Sequence, residues 1–348
     1  MLEFWLCAIT LIITLANVIN MRVVGVKGAA TISESVDVLI PMRDEEENVE
    51  GSLKSALNSE LLESSNVYAL DDGSTDQTGQ LISEFKVNKL TGSQLPAGWL
   101  GKVWACHNLS QAGTGKYLVF LDADVRLHPY AIASAITRMN KFGWDFISPY
   151  PRQIAGSFLE KLIQPLLQWS WLASVPLRLA EKFPNRSMTI ANGQFFVVKR
   201  NAYEESGGHA AIPGEVLDDL ELARLLVSEG FKGGVADGSA VASCRMYKSN
   251  SQLIDGYTKS LWKAFGGRTG TAVAILLLFF TGISPYLGIG APASFIFLSR
   301  VLAAIKTRSN PAYAFLHPIS ILILLYLITL SSARKSRGTL IWRGRTIS

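Results

Sequence analysis

Cysteine is scarce in this chain, and its placement argues against two classes of site. The 348 residues include three cysteines, Cys7, Cys106 and Cys244. They are odd in number, far apart and without the C-x-x-C spacing of zinc ligands, so neither a disulfide framework nor a structural zinc site is expected. We therefore expect reduced thiols in a domain that faces the cytosol.

The chain also has no internal repeat, no low-complexity linker, and no basic stripe interleaved with aromatic residues. Its net charge of +5 is moderate, from 33 Lys and Arg against 28 Asp and Glu. Much of that excess lies in the stretch 334–345, "RKSRGTLIWRGR". A basic stretch beside an apolar span is typical of a cytoplasmic membrane flank, whereas binding of nucleic acid needs stacking aromatics along a basic groove. We expect no nucleic-acid partner.

Hydrophobic residues are abundant instead, at 49% of the chain with a mean hydropathy of +0.24. Residues 2–19 form one apolar run, and about 18 residues are just enough to span a bilayer. A cleaved signal peptide would carry basic residues before the run, but here Arg22 and Lys27 follow it. Residues 1–22 are therefore predicted to be a retained anchor, with the N terminus outside and the next domain in the cytoplasm.

A second apolar region begins near residue 250. Residues 249–268 have the pattern of an amphipathic helix at the bilayer surface, and residues 334–348 form a basic cytoplasmic tail. Between them lies a transmembrane region, 269–333, with apolar stretches at 271–289, 291–305 and 312–332. The positive-inside rule places both basic flanks in the cytoplasm and so favours an even number of crossings, unless two stretches form one kinked or re-entrant element. We expect a multi-pass protein of the cell (plasma) membrane, whose catalytic domain faces the cytoplasm.

Residues 33–248 have a different character, because short apolar runs alternate with segments of helical spacing. Strands are predicted at 35–41, 66–72, 115–124 and 144–151. Alternation of this kind predicts an α/β domain with a parallel sheet, which binds ligands at the carboxyl ends of its strands. The segment 157–183 stays open between a membrane span and a helical pair that packs on the membrane surface or in a core.

Acidic residues follow three of these strands. They occur in "PMRDEEEN" (41–48), "DDGSTD" (71–76) and "DADV" (122–125). Each alone has an ordinary structural explanation, as a helix cap, a turn or a capped connection. At the ends of successive strands in one sheet they are expected to converge on one pocket. Asp122 and Asp124 are expected to share one strand face, where two like charges need a metal or a basic side chain beside them.

With these motifs in order, the sequence resembles the family 2 glycosyltransferases of GT-A fold. The matching pieces are "IPMRDEEENV", "DDGSTDQT", "GKVWACHNLSQAGTGKYLVFLDADV" and "VLDDLELARLL", which together cover about 35–230. With "PAGWLGKVWA" and "CRMYKS", they are most similar to the membrane-bound branch that glycosylates carotenoid or hopanoid-type lipids. The resemblance implies a GT-A-type, Rossmann-like nucleotide-sugar-binding domain with an N-terminal transmembrane anchor and C-terminal transmembrane helices.

The resemblance also implies which residues bind the donor. The nucleotide sugar would contact Asp44, Glu45, Asp71, Asp72, Lys102, Asp122 and Arg245. Carboxylates can accept hydrogen bonds from ribose hydroxyls and from an imide N–H. Asp122 and Asp124 form the D-x-D element, which would bind Mg²⁺ or Mn²⁺ through oxygen ligands, and the ion would bridge and neutralise the sugar diphosphate.

The catalytic base is expected in "GEVLDDLELARLL" (214–226), where Asp219 matches the family's Asp and Asp218 is the fallback. An inverting transfer needs a carboxylate that takes the acceptor's proton. The same segment also reads as a helix N terminus, and both roles can hold. The acceptor pocket is assigned to Asn192, Gly193, Gln194 and Tyr247. "CRMYKS" lacks the Trp of processive relatives, which argues against polysaccharide synthesis.

These inferences predict an inverting enzyme that moves a single sugar, from a UDP-hexose or similar nucleotide-sugar donor, to a lipid in the bilayer. A carotenoid or hopanoid-type isoprenoid is the expected acceptor. Two alternatives remain open. A polyisoprenyl-phosphate sugar transferase would use basic residues at the acceptor mouth, for which Arg178, Lys182 and Arg186 are available. A membrane-anchored module that binds nucleotides without catalysis would not need Asp219.

Overall fold

A computed structural model of the protein describes residues 1–288, 290–342 and 345–346. The chain divides into two compact units. An α/β unit consists of Arg22–Arg152 and Leu179–Cys244, and a helical unit consists of Met1–Met21, Gln153–Arg178 and the described part of Arg245–Ser348. The helical unit therefore takes a segment from the middle of the chain as well as both ends.

Twelve strands occur in the described residues. They are β1 Val36–Met42, β2 Ser65–Asp71, β3 Asn88–Thr91, β4 Tyr117–Leu121, β5 Val125–Leu127, β6 Phe146–Tyr150, β7 Arg152–Gln153, β8 Phe195–Lys199, β9 Gly233–Asp237, β10 Ala242–Cys244, β11 Ile341–Trp342 and β12 Arg345–Thr346. Seven of them form the main sheet, in the order β3-β2-β1-β4-β8-β6-β9.

Fourteen α-helices occur in the same residues. They are α1 Leu2–Asn20, α2 Glu46–Leu57, α3 Thr78–Ile82, α4 Gly101–Gln111, α5 Ala131–Phe142, α6 Phe158–Ser174, α7 Leu177–Lys182, α8 Arg200–Glu205, α9 Asp218–Ser228, α10 Asn250–Ala264, α11 Gly267–Gly282, α12 Ser284–Leu287, α13 Ala291–Lys306 and α14 His317–Ser336. Helices α2–α5, α8 and α9 connect strands of the α/β unit, as the alternating sequence pattern predicts.

The main sheet is mixed rather than wholly parallel. Strands β1, β2, β3 and β4 run parallel, and β6 and β9 are parallel to each other, but β8 is antiparallel to both β4 and β6. The α/β class predicted from the sequence is confirmed. The antiparallel β8 matters for the site, because it brings the residues just before Phe195 to the carboxyl end of β4.

The central strands are apolar because helices cover both faces of the sheet. All five residues of β4 are buried, as are six of the seven in β1. Continuous apolar runs are typical of strands that are buried on both sides. On one face, Phe146 of β6 stacks on Phe196 of β8, with ring centroids 5.5 Å apart and planes 11° from parallel. This core fixes the strand ends that carry the acidic residues.

A buried ion pair ties the amino end of the sheet together. Asp37 of β1 is fully buried, and its Oδ2 accepts hydrogen bonds from the Gly115 amide at 2.6 Å and from Arg200 at 3.0 Å. Arg200 also donates to the Gly115 and Ser110 carbonyls. The chain before β4 and the start of α8 are therefore anchored on one buried carboxylate.

The helical unit contains three helices that are long and apolar enough to cross a membrane. They are Leu2–Asn20, Gly267–Leu287 and Pro311–Ser336, among the described residues. By their length and composition, these helices suggest association with a membrane. Helix α6, in the segment left open by the sequence, packs in this unit and is bound to α1, because the Asn17 amide donates to the Leu172 and Val175 carbonyls at its end.

We predict that Arg200→Met destabilises the α/β unit by about 3 kcal/mol or more, because breaking a buried pair leaves the Asp37 charge uncompensated. The measurement is the thermal unfolding midpoint in detergent. Lys116→Met is the matched control, since Lys116 pairs with Glu34 at an exposed surface site and such pairs contribute little. Equal midpoints for the two variants would contradict the anchoring role of Asp37.

Candidate active site

The two carboxylates of the D-x-D element lie in a tight turn and not along a strand. Strand β4 ends at Leu121 and β5 begins at Val125, whose amide donates to the Asp122 carbonyl at 3.1 Å. The expectation that Asp122 and Asp124 share one strand face is therefore wrong. The chain must reverse here because β5 pairs with β10 outside the main sheet.

Burial and neighbouring carboxylates disfavour the charged form of Asp124. Its Oδ1 atom is buried and has no hydrogen-bond partner among the described residues. Burial raises the pKa of Asp124 to about 7, and the charges of Asp122 and Glu45 act in the same direction. A divalent cation between Asp122 and Asp124 would supply the missing positive charge, and carboxylate oxygens are ligands that Mg²⁺ and Mn²⁺ accept. The donor set therefore fits such an ion.

Lys102 joins two sides of the pocket. Its Nζ lies 2.9 Å from Asp122 Oδ1 and 3.5 Å from Asp218 Oδ2. Burial acts to lower the pKa of Lys102, but the carboxylates of Asp122 and Asp218 outweigh it and hold that pKa well above its ordinary value. The ammonium is thus charged at neutral pH, and the helix α4 that carries it is held against both carboxylates.

The predicted nucleotide residues at the ends of β1 and β2 are bound to one another. Asp44 Oδ1 accepts from the Thr75 amide at 2.8 Å, and the Asp44 amide donates to Ser74 Oγ at 3.0 Å. Asp71 Oδ1 in turn accepts from the Ser74 amide at 2.9 Å. Asp44 has φ +51°, in the left-handed region that non-glycine residues seldom adopt. These contacts hold that strained backbone in place.

Asp72 and Glu45 complete this side of the site. Asp72 is buried, and its amide donates to the Met42 carbonyl at 2.8 Å, which fixes the end of β2 against the end of β1. The Glu45 carboxylate accepts from the Asn48 side chain at 2.7 Å, and the Glu45 amide donates to Thr78. These bonds hold the ends of β1 and β2 together, and the expectation that their acids share one ligand site with those after β4 stays a prediction.

Residues 192–194, which precede β8, connect the turn that contains Asp122 and Asp124 to Asp219, the expected base. The Gln194 carbonyl accepts from the Asp122 amide at 3.1 Å, and the Asn192 side chain accepts from the Gln194 amide at 3.0 Å. The Gly193 amide donates to Asp219 Oδ2 at 2.6 Å. A Cβ at Gly193 would lie 2.8 Å from the Asp219 Cβ, so only glycine leaves room for this approach.

Asp219 sits at the start of α9, and its carboxylate accepts two backbone N–H bonds. Besides the bond from Gly193, Asp219 Oδ1 accepts from the Leu220 amide at 2.8 Å. Removal from water and the charge of Asp218 together raise the pKa of Asp219 to about 6, although Lys102 and the two amides act against them. A carboxylate with this pKa is ionised at neutral pH and still takes up a proton readily, as a general base must.

These groups line one pocket. Its polar wall comprises Lys102, Asp122, Gly193, Asp218 and Asp219, and its apolar wall is formed from core side chains such as Phe120 and Leu222. The structure therefore brings together residues from four separated segments.

Two predicted residues, Arg245 and Tyr247, belong to the helical unit, where Arg245 lies against Gly156 and Tyr247 packs on Tyr257, with ring centroids 5.9 Å apart. Their assignment stays a prediction.

Two further residues line the pocket that were not assigned from the sequence. Donor atoms of Cys106, His209 and Asp218 lie within 4.8 Å of one another. His209 is buried, and its Nδ1 shares a 2.9 Å hydrogen bond with the Tyr203 hydroxyl. Burial lowers the pKa of His209 to about 4, so the ring is neutral. The Lys102 ammonium beside Asp218 already supplies positive charge here, which disfavours a second cation. Because Cys106 follows Lys102 by four residues, the two side chains lie on the same face of α4, and this spacing could have identified Cys106 from the sequence.

Several known proteins are similar to this chain. The sequence profile described as "Glycosyl transferase family 2" matches residues 37–207. A 4,4'-diaponeurosporenoate glycosyltransferase of Staphylococcus haemolyticus (strain JCSC1435) is 23% identical over 257 residues, which cover 72% of this chain and 67% of that protein.

Among solved structures, mannosyltransferase PcManGT of Pyrobaculum calidifontis, in complex with GDP-Man and Mn²⁺, is similar over 97% of this chain and 99% of its own. Its TM-score is 0.55 and its sequence identity is 16%, which supports a shared fold. A glucosyl-3-phosphoglycerate synthase of Mycobacterium tuberculosis is 18% identical, with a TM-score of 0.42, over 72% of this chain and 81% of that chain.

We predict that Gly193→Ala destabilises the protein by about 1–3 kcal/mol, because the added methyl group must displace Asp219 or the segment before β8. Gly234→Ala is the control, since a Cβ at Gly234 meets no atom within 4 Å. The thermal unfolding midpoints of both variants test this, and a structure of the Gly193 variant should show the Asp219 carboxylate moved. An unmoved carboxylate and an unchanged midpoint would contradict the close approach.

Proposed function

Because its domain at residues 37–207 belongs to glycosyl transferase family 2, we propose that this glycosyltransferase moves one sugar from a nucleotide sugar to a membrane lipid, with inversion. A UDP-hexose is the proposed donor, and a carotenoid or hopanoid-type isoprenoid with a hydroxyl group is the proposed acceptor. The single observation that carries the proposal is the position of Asp219. Its ionised carboxylate shares one pocket with Lys102 and Asp122, the groups expected to bind the donor diphosphate.

The proposed reaction joins the acceptor oxygen to the anomeric carbon as the bond from that carbon to the diphosphate breaks. Asp219 accepts the proton of the acceptor hydroxyl, and the Gly193 and Leu220 amides keep its lone pairs oriented. Attack from the face opposite the leaving group inverts the anomeric carbon. Asp218 is the fallback for this role, but its carboxylate is already engaged in an ion pair with the Lys102 ammonium.

The proposed donor site extends from Lys102 and Asp122 to the ends of β1 and β2. Asp44, Glu45, Asp71 and Asp72 would bind the ribose and base through carboxylate and backbone groups. Lys102 lies where it can bind phosphate oxygens, with Arg245 as a second candidate cation. When bound by Asp122 and Asp124, Mg²⁺ or Mn²⁺ would supply positive charge to the leaving diphosphate. Asn192, Gly193, Gln194 and Tyr247 remain the proposed acceptor residues.

The membrane arrangement is also part of the proposal. The three apolar helices support a multi-pass protein of the plasma membrane, and the basic residues that follow α1 and end α14 favour a cytoplasmic catalytic domain. A lipid acceptor fits such a protein, because the acceptor is dissolved in the same bilayer. The similarity to the staphylococcal diaponeurosporenoate glycosyltransferase supports a lipid-like acceptor.

The two alternatives have weaker support. A polyisoprenyl-phosphate acceptor would need free cations at the acceptor mouth, but Arg186 donates to Glu221 at 2.7 Å. A nucleotide-binding module without catalysis would have no use for Asp219, which the fold holds with two amides in the donor pocket. Both alternatives make different predictions from sugar transfer to an isoprenoid alcohol.

The decisive experiment offers UDP-glucose, UDP-galactose, UDP-GlcNAc and GDP-mannose, each with Mn²⁺, to the purified protein and a lipid extract. We predict that one donor labels a lipid, that EDTA abolishes the labelling, and that Asp219→Asn lowers the rate by a factor of about 100 or more because the base is lost. Donor binding, measured by calorimetry, should survive in Asp219→Asn.

Two outcomes would contradict this scheme. Unchanged turnover in Asp219→Asn would exclude Asp219 as the base, and labelling of a polyisoprenyl phosphate alone would favour the first alternative. Metal-dependent binding of a donor without turnover in any lipid extract would favour the non-catalytic module. Glu221→Gln is a useful control, since Glu221 lies on the same helix and contacts Arg186 and Arg224.

The proposed base also predicts a pH dependence. Transfer needs ionised Asp219, so kcat/KM should fall as the pH drops below about 6. In Asp218→Asn the neighbouring negative charge is gone and Lys102 loses one partner, and both changes lower the pKa of Asp219. The acid limb of the profile of kcat/KM against pH should therefore move to lower pH in this variant. A limb that stays in place or moves upward would show that another group is titrating.

A further inference from the structure

A buried arginine lies in the helical unit without a carboxylate partner. Arg300, in the middle of α13, is 3% exposed. Its one hydrogen bond goes from Nη1 to the Pro165 carbonyl at 2.9 Å, and its guanidinium lies 5.8 Å from the centroid of the Trp169 ring. Its Nε–H has no partner among the described residues. A carbonyl and an aromatic face bind the cation, but neither neutralises its charge.

Unpartnered polar groups surround this arginine. His317 of α14 is fully buried, and neither ring nitrogen has a hydrogen-bond partner in the described part of the chain. The buried hydroxyl of Tyr286 is likewise without a partner there. The His317 ring lies 4.9 Å from Trp169 and 6.1 Å from Tyr286, measured between centroids. Helices α12, α13 and α14 therefore bring these polar groups to one place, beside the Trp169 ring of α6.

The free energy of such an arrangement is unfavourable without a further ligand. Burying an unpaired charge costs several kcal/mol, and each unsatisfied buried polar group adds about 1–3 kcal/mol. Ionisable residues buried in the helices of membrane proteins are rare and typically mark functional sites. Water could satisfy the donors, but it would leave the positive charge of Arg300 uncompensated. An anion would satisfy both needs.

We propose that Arg300, Tyr286 and His317 form a binding site for the anionic end of an amphiphile, a carboxylate or a phosphate. Oxygen atoms of the anion accept from the Arg300 Nε–H, the Tyr286 hydroxyl and a His317 ring N–H, and their charge balances the guanidinium. An amphiphile is favoured over a dissolved anion because the surface of this unit is apolar: large side chains such as Leu276, Leu287 and Leu298 are exposed. The site does not rest on the proposed sugar transfer.

The test measures thermal unfolding of the full-length protein in neutral detergent, with oleyl phosphate or oleate as the probe and oleyl alcohol as its uncharged counterpart. Either anionic probe, at about 100 times its Kd, should raise the midpoint of the wild type by roughly 3 °C or more, and the alcohol should not. Arg300→Met should abolish that rise. Without a probe, Arg300→Met should be as stable as the wild type or more so, because an uncompensated buried charge is replaced by an apolar side chain.

Arg308→Met is the matched control, since Arg308 is exposed and follows the same helix, so the variant changes net charge equally. It should keep the response to the probe, whereas Tyr286→Phe should weaken the affinity by roughly tenfold or more. A response that survives in Arg300→Met, or one lost equally in Arg308→Met, would overturn the site in favour of general attraction to basic surfaces. A response to inorganic phosphate without one to oleyl phosphate or oleate would overturn the assignment of an amphiphile.

Discussion

The ammonium of Lys102 sets the geometry of the catalytic pocket, because it stands between carboxylates from two different connections of the sheet. One contact reaches Asp122 in the turn after β4, and the other reaches Asp218 at the start of α9. Without this cation the pocket would gather several negative charges in a half-buried space, where like charges repel strongly. Helix α4, which carries Lys102, packs against the same hydrophobic core as β4 and α9, so packing and charge act together.

The carboxylates of the pocket differ in the groups that contact them. Asp122 and Asp218 have the ammonium, Asp219 has two backbone amides, and Asp124 keeps one oxygen that has no hydrogen-bond partner in the described part of the chain. The different surroundings thus give similar side chains different chemistry. Asp124 is suited to bind a metal ion, and Asp219 is suited to accept a proton. The role of Gly193 follows from the same arrangement, since its amide reaches Asp219 only where no side chain intervenes.

The same physical rule applies to the α/β unit and to the helical unit, each taken by itself. In both, a buried polar group that the fold leaves unsatisfied indicates where a ligand is expected, because the cost of leaving it alone is large. Asp124 has an unused oxygen and excess negative charge, which suits a divalent cation. Arg300 has an unused donor and excess positive charge, which suits an oxyanion. Asp37 and Arg200 are the contrasting case, because each buried charge has an opposite charge beside it, although Asp37 Oδ1 accepts no hydrogen bond from the described residues.

By itself the sequence determined the α/β class, the acidic strand ends and the apolar helices, because periodicity and composition are local properties. It also placed Asp219 at the start of a helix, which the structure bears out in α9. Tertiary structure alone decided the rest. The antiparallel β8 placed Gly193 between Asp122 and Asp219, and the turn after Leu121 removed the D-x-D element from the strand. The contact of Asp122 with Gln194 joins residues 72 positions apart and that of Gly193 with Asp219 joins residues 26 positions apart, and no local pattern encodes which distant groups will share a pocket.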